Sequence, residues 1–420
     1  MRATRRQFLK GSAAAALLPA PAIAQGAGPK VVVIGGGFAG ASAARFLKKY
    51  DPQANVTLIE ANQTFTACPF SNGILAGLRD LPAQQFRYDH VAGDGVTLAF
   101  GTANEVDAQG RTVSLLNGPK LPYDRLVMAP GIDLRFDGLP GYDARAADIM
   151  PHAWKAGEQT LLLRHQLESM EDGGTVFIVA PANPFRCPPG PYERASLIAY
   201  YLKTKKPKSK VVILDAKDTF SKQRLFQNAW KELYPDHVEW VSLSQGGKVT
   251  SVKPAEMTLT TDFGNHKAAV ANVIPPQHAG AIAQKAGVAD RSGWCPVDPV
   301  TFESKLVPNI HVIGDAAIMG GMPKSAFSAN AQAKVCAAAV AALLRGEKPV
   351  EPRLINTCYS LIAPDYGITV AGVYKPADGV LADIQGAGGV SPIEAPRSQR
   401  ALEAQFAEGW FKTITNEVFG

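Results

Sequence analysis

Val31-Val32-Val33-Ile34-Gly35-Gly36-Gly37-Phe38-Ala39-Gly40-Ala41-Ser42-Ala43-Ala44 is the stretch that decides the fold. Four β-branched apolar residues in a row predict a strand buried on both faces. Gly35, Gly37 and Gly40 satisfy G-x-G-x-x-G, and small residues then open a helix. The first glycine permits a tight turn, the second lets backbone approach a pyrophosphate, and the third lets helix and strand pack closely. A diphosphate can then rest on the unpaired N–H groups of the helix N-terminus. A second strand, Val56-Thr57-Leu58-Ile59-Glu60, ends in an acid placed to accept hydrogen bonds from the ribose hydroxyls of an adenosine. The motif specifies a dinucleotide and leaves FAD and NAD open.

The N-terminus reads as a targeting segment rather than part of the fold. Thr4-Arg5-Arg6-Gln7-Phe8-Leu9-Lys10 is a twin-arginine signal, Ala13 to Leu18 is apolar, and Ala22-Ile23-Ala24 offers a small-x-small cleavage site. Residues 1–24 are therefore expected to be removed after export to the periplasm. Twin-arginine export carries folded proteins, so a dinucleotide can be loaded first. The 420-residue chain has a formal charge of +6, but four basic residues and no acid lie in 1–24, which leaves +2. That gives no basis for binding nucleic acid. No run of about 18 apolar residues occurs, so no membrane span is expected.

Gly314-Asp315 follows the apolar strand 310–313 and precedes an Ala-rich helix, about Ala329 to Leu344. This arrangement resembles two-dinucleotide flavoproteins, in which the aspartate holds the ribityl chain of FAD. With the turn at Ala129-Pro130-Gly131 it predicts an FAD domain interrupted by an inserted one. The insert carries its own α/β signals, the strands Thr175 to Ala180 and Val211 to Asp215. No second glycine fingerprint follows its first strand. Pro181-Ala182-Asn183-Pro184-Phe185-Arg186-Cys187-Pro188-Pro189-Gly190-Pro191-Tyr192-Glu193 stands there instead. Prolines remove N–H donors, the opposite of what a phosphate cradle requires, so a nicotinamide partner is not expected.

The expected fold is α/β, with two Rossmann-like domains and a C-terminal interface domain. Residues 25–150 and 276–345 form the FAD-binding domain, 151–275 a degenerate NAD-type domain, and 346–420 a flavin-covering domain. Residues 62–73 read as a loop, 96–116 and 248–274 as antiparallel sets, and Ala153 to Met170 as a helix.

Five cysteines, Cys68, Cys187, Cys295, Cys336 and Cys358, are an odd count for an oxidising compartment. Cys187 and Cys358 can be read as a redox-active disulfide over the flavin or as a structural staple. Cys68 can be read as a thioether to the flavin or as a buried thiol. Cys295 and Cys336 read as packed thiols. No Cys/His spacing suggests zinc, and no C-x-x-C-H marks attached haem.

These residues together resemble the flavoprotein subunit of flavocytochrome c sulfide dehydrogenase, a family close to the sulfide:quinone oxidoreductases. The resemblance rests on Cys68-Pro69-Phe70-Ser71-Asn72, on 152–160, on 184–195, on Gly293-Trp294-Cys295-Pro296-Val297-Asp298, on Met322-Pro323-Lys324-Ser325 and on Asn356-Thr357-Cys358-Tyr359-Ser360. It implies FAD bound covalently through Cys68, and Cys187 and Cys358 as the disulfide at the flavin face. Glu193 would be an acid near that disulfide, and Trp410 an aromatic near the flavin. It further implies a sulfide–cytochrome c reductase that oxidises sulfide to sulfur or polysulfide and passes electrons to a separate haem c subunit. Two alternatives remain. A quinone-reducing relative would want an apolar surface, and Leu402, Phe406, Trp410, Ile414 and Val418 form a stripe whose expected role here is to cover the flavin. A non-catalytic electron-transfer or assembly flavoprotein would use the disulfide only as a staple.

Overall fold

The computed structural model describes residues 28–420; the expected signal segment, 1–24, lies outside them. The opening strand spans Lys30–Ile34, and its helix Phe38–Tyr50. It sits at the centre of a five-stranded parallel sheet in the order 310–312, 125–128, 30–34, 55–60, 97–100. Val31 and Val33 are fully buried, as a central parallel strand covered on both faces requires. The last strand of this sheet comes from far along the chain. The chain therefore leaves the first sheet, builds a second, and returns to place Gly314-Asp315 beside the glycine turn.

The second sheet is also parallel, in the order Val238–Val241, Lys210–Asp215, Thr175–Ala180, Val270–Val273. The third layer is antiparallel and built from Leu354–Ala363, Tyr366–Ala377 and Val380–Asp383. The C-terminal helix, Arg397–Phe419, packs on it.

Several expected elements are corrected. Thr97–Phe100 joins the parallel sheet as its edge, and only 103–122 form a separate antiparallel set. Val270–Val273 likewise leaves the antiparallel set for the parallel sheet. Both are short apolar runs whose pairing partner lies outside the local sequence. The helix expected from Ala153 begins only at Glu158, because Ala153 and Gly157 adopt positive φ of 45° and 133°. The 62–73 loop contains a three-residue strand, Thr64–Thr66, and a one-turn helix, Asn72–Leu75. The Pro-rich stretch after Cys187 opens directly into a helix, Gly190–Lys205. Pro191 is tolerated in its first turn because that N–H would lack a partner in any case.

The stripe on the C-terminal helix is also corrected. Leu402 and Phe406 are 45% and 54% exposed, whereas Ile414 and Val418 are buried. Four-residue steps overshoot the 3.6-residue turn, so an i, i+4 row slants around the helix. The face that packs inward is instead Arg400, Glu403, Ala404, Ala407, Phe411, Ile414, Thr415 and Val418.

Among the described residues one helix, Ala326–Leu344, is long and apolar enough by length and composition to cross a bilayer; 56% of its apolar window is buried within the fold. It packs against the helix Phe38–Tyr50, and Asn330 donates to Ser42 at 2.9 Å across that contact.

Candidate active site

A cavity of about 590 Å³ opens between the three layers, and ten of the eleven residues singled out above line it. They are Gly35, Gly37, Glu60, Cys68, Gly131, Cys187, Glu193, Asp315, Cys358 and Trp410. Gly40 lies behind the turn. A Cβ there would fall 1.7 Å from the carbonyl oxygen of Gly35, so only glycine lets the helix close onto the strand. Gly35 has φ +94°, and a Cβ would meet the Ala129 carbonyl at 2.3 Å. At Gly37 a Cβ would meet only the Phe65 ring, at 3.4 Å, so its backbone faces open cavity.

One end of the cavity suits an adenosine. Glu60 Oε2 accepts from the Gly36 N–H at 2.6 Å, and Oε1 from the Asn62 N–H at 2.9 Å. Oε1 accepts from Asn62 Nδ2 as well, at 3.3 Å, so it is Oε2 that keeps a lone pair for a hydroxyl donor. Phe65 is held by stacking on Phe419 at 5.1 Å, so the last turn of the chain braces this end. Further in, Asp315 Oδ1 is buried with no hydrogen-bond partner. Burial raises the Asp315 carboxyl above its ordinary range, against the pull of Arg186 and Lys324. A buried carboxylate oxygen without a partner calls for a donor from a ligand. A glycine cradle, a ribose-type acid and an orphaned carboxylate oxygen in one elongated cavity fit FAD. Gly35–Gly37, Glu60, Gly131 and Asp315 would hold it.

At the other end three cysteines converge from three parts of the chain. Cys68 lies in the loop after the second strand, and its thiol faces the Trp154 carbonyl at 3.7 Å. Cys187 lies just before the helix Gly190–Lys205, in left-handed backbone with φ +57°, its N–H bonded to the Lys324 carbonyl at 2.8 Å. Cys358 comes from the C-terminal sheet, and Asn356 Nδ2 donates to its sulfur at 3.3 Å. All five cysteines are free in this structure, and Cys187 and Cys358, the pair expected to form a disulfide, face one cavity. Desolvation pushes the Cys187 thiol well up, with Glu193 and Cys358 adding to it. Cys295 and Cys336 are fully buried away from the cavity, as expected of packed thiols.

Glu193 sits in the first turn of its helix. Its Oε1 accepts from the Leu361 N–H at 2.9 Å and its Oε2 from Asn72 Nδ2 at 3.1 Å. Desolvation outweighs these donors and raises its affinity for a proton.

Residues that sequence reasoning missed hold this arrangement together. Asn72 bridges Glu193 to Arg194, accepting from Arg194 Nε at 2.9 Å. Arg194 also donates to the carbonyls of His152 and Ala153 and to Asn272 Oδ1. Asn72 and the His152 and Ala153 carbonyls, from two of the runs quoted above, thus help to satisfy one buried guanidinium. Arg186 lines the cavity and donates to the Trp154 carbonyl. Lys222, from the second α/β layer, donates to the Cys358 carbonyl at 2.8 Å. No sequence signal singles out a lysine between Ser221 and Gln223.

The expected absence of a nicotinamide cradle has a structural counterpart. Asp215 ends the second strand of the second sheet, the place where a dinucleotide domain carries its ribose acid. Here its oxygens are taken by Tyr192 at 2.6 Å, Trp240 at 2.9 Å and Lys217 at 2.6 Å. Tyr192 and Phe220 stack at 3.6 Å beside it. Two aromatic side chains and a lysine thus occupy the acid that a nucleotide would need.

The two parallel sheets with an antiparallel third layer define an FAD-dependent oxidoreductase of the pyridine nucleotide–disulphide type, and residues 29–169 match that family. Residues 160–275 match "Sulfide dehydrogenase [flavocytochrome c] flavoprotein chain, central", and 350–419 match "Flavocytochrome c sulphide dehydrogenase, flavin-binding". A flavocytochrome c sulfide dehydrogenase flavoprotein chain from Chlorobaculum thiosulfatiphilum is 56% identical over 45 residues, 11% of this chain and 94% of that one. The mitochondrial sulfide:quinone oxidoreductase of Mus musculus is 24% identical over 334 residues, 77% of this chain and 73% of that one. The solved sulfide:quinone oxidoreductase of Aquifex aeolicus has the same fold. Its TM-score is 0.70 at 18% identity, over 93% of this chain and 92% of that one. The chain belongs to the flavocytochrome c sulfide dehydrogenase flavoproteins, an FAD-dependent family related to the sulfide:quinone oxidoreductases.

Proposed function

We propose that this protein is a periplasmic sulfide dehydrogenase whose Cys187 and Cys358 cycle between disulfide and dithiol, and that a haem c subunit takes the electrons. The observation that carries the reading is the convergence of Cys187, Cys358 and Glu193 on one cavity with the FAD-binding residues. The twin-arginine segment supports the location. The family supports the haem partner, which a chain without a haem-attachment motif needs as a separate subunit.

Hydrosulfide attacks one sulfur of the disulfide; the new S–S bond makes a hydropersulfide there, and the broken bond leaves the other sulfur as thiolate. Bound FAD supplies the two-electron acceptor for oxidation of the sulfur. Glu193, whose desolvated carboxylate has raised proton affinity, takes the proton released from the hydropersulfide. Arg194 and Asn72 keep that carboxylate in place. Arg186 lines the same cavity and places a positive charge beside Asp315 and Cys187.

Cys68 is the residue we assign to a covalent bond with FAD, which would prevent cofactor loss in a compartment that does not supply it. In Cys68→Ala, acid precipitation should release all the yellow colour into the supernatant, whereas the natural protein keeps it in the pellet. Flavin that stays on the Cys68→Ala polypeptide would refute the assignment.

A second reading, quinone as acceptor, is favoured by one feature. A depression lined by Leu402, Phe406 and Glu403 shares Tyr359 with the main cavity. Tyr359 and Phe327 lie 5.9 and 6.1 Å from the Trp410 ring, between cavity and surface. Steady-state sulfide oxidation with cytochrome c, a short-chain quinone and NAD as separate acceptors distinguishes the readings. Turnover with cytochrome c alone is expected. Turnover with quinone alone makes the protein a quinone reductase, and no sulfide-dependent turnover leaves a non-catalytic flavoprotein.

A further inference from the structure

Lys222 lies in the second α/β layer, in left-handed backbone with φ +61°, and reaches across to the C-terminal sheet. Its Nζ donates to the Cys358 carbonyl at 2.8 Å, to Ser360 Oγ at 2.8 Å and to the Ile368 carbonyl at 3.3 Å. An ammonium has three N–H bonds, and here all three end on uncharged oxygens. Its positive charge is therefore fixed in place but not neutralised by a direct carboxylate contact.

We propose that Lys222 is a positioning residue for the cysteine pair, holding a positive charge that stabilises Cys358 as the thiolate-bearing sulfur. This rests on the reading of Cys187 and Cys358 as a working dithiol. The two sulfurs differ in surroundings. Cys358 has the Asn356 Nδ2 donor at 3.3 Å and sits on the residue whose carbonyl binds the ammonium. Cys187 is desolvated and faces the Glu193 carboxylate, and together these outweigh the positive charges of Arg186 and Lys222 that also reach it. Charged and titratable groups facing Lys222 are Cys358, Glu193, Cys187 and Glu403, all of which favour its ammonium. Tyr374 also faces Cys358, and Arg186 faces Cys187. Burial brings Lys222 down to about 8. Its help to the thiolate is thus present below that pH and fades as pH rises through it.

The test uses the full FAD-bound chain, reduced with a phosphine and alkylated with iodoacetamide from roughly pH 5 to 10, with each cysteine followed by mass spectrometry. In the natural protein Cys358 should reach half-maximal alkylation rate at a lower pH than Cys187. Lys222→Met should raise the Cys358 midpoint by at least about one unit, cutting its rate at pH 7 about tenfold, and Lys222→Arg should restore it. A lower midpoint for Cys187 in the natural protein, which needs no variant, overturns the proposal. So does an unmoved Cys358 midpoint in Lys222→Met, or an equal shift in Lys222→Arg, which would make the role purely structural. Thiol midpoints as expected in a protein whose flavin sulfide does not bleach would sustain the Lys222 assignment and sink the sulfide reading.

Discussion

Cys358→Ser is expected to give a yellow, FAD-bound protein whose flavin is no longer bleached by sulfide, with the bimolecular rate down by roughly 10³-fold or more. The serine hydroxyl fits where the thiol sits and can still accept from Asn356 Nδ2. The FAD-binding end of the cavity, at Gly35 to Gly37 and Glu60, is untouched. On the proposed mechanism, what is lost is the disulfide, the electrophile that hydrosulfide would attack. Anaerobic stopped-flow absorbance of the oxidised flavin checks it. An unchanged bleaching rate would show that sulfide does not enter through this pair and would reduce it to a structural staple.

Gly40→Ala is expected to have the largest effect on folding. The added methyl would sit 1.7 Å from the Gly35 carbonyl oxygen, which is backbone of the cofactor turn itself. Helix and strand must separate to admit it, at about 3–5 kcal/mol or more. The variant should be recovered poor in flavin, with its thermal transition lowered or absent. Gly409→Ala is the control. It lies inside the C-terminal helix with nothing within 4 Å of its Cβ position. Alanine there should stabilise by about 0.5–1 kcal/mol through helix propensity alone. Absorbance ratios of flavin to protein, with circular dichroism melts, separate the two. A flavin-replete Gly40→Ala with an unchanged melt would contradict the packing argument.

Both expectations start from residues visible in the sequence, which shows what kind of information a sequence carries. Gly35 and Gly40 are legible because positive φ in the turn and close approach of helix to strand are backbone demands that only glycine meets. Asp315 and the proline run around Cys187 are legible for the same reason, since each is set by its immediate neighbours. The third sheet was not legible. Residues 345–395 are rich in proline and glycine, yet they contain Leu354–Ala363 and Tyr366–Ala377, paired along most of their length. Sheet pairing depends on a partner and a packing face, and composition reports neither. The slanted stripe on the last helix misled for a related reason, because period alone does not say which side meets the core.

The sequence by itself determined a dinucleotide cradle and a chain that leaves and re-enters one parallel sheet. Each follows from short-range rules of backbone conformation and residue chemistry. Only the tertiary structure decided that Cys68, Cys187 and Cys358 face one cavity, that Arg194 and Asn72 fix Glu193 there, and that Lys222 places a charge beside Cys358. The cavity gathers residues as far as 290 positions apart, from Cys68 to Cys358. Electrostatics and desolvation act through space, so their outcome exists only once the layers have closed on one another.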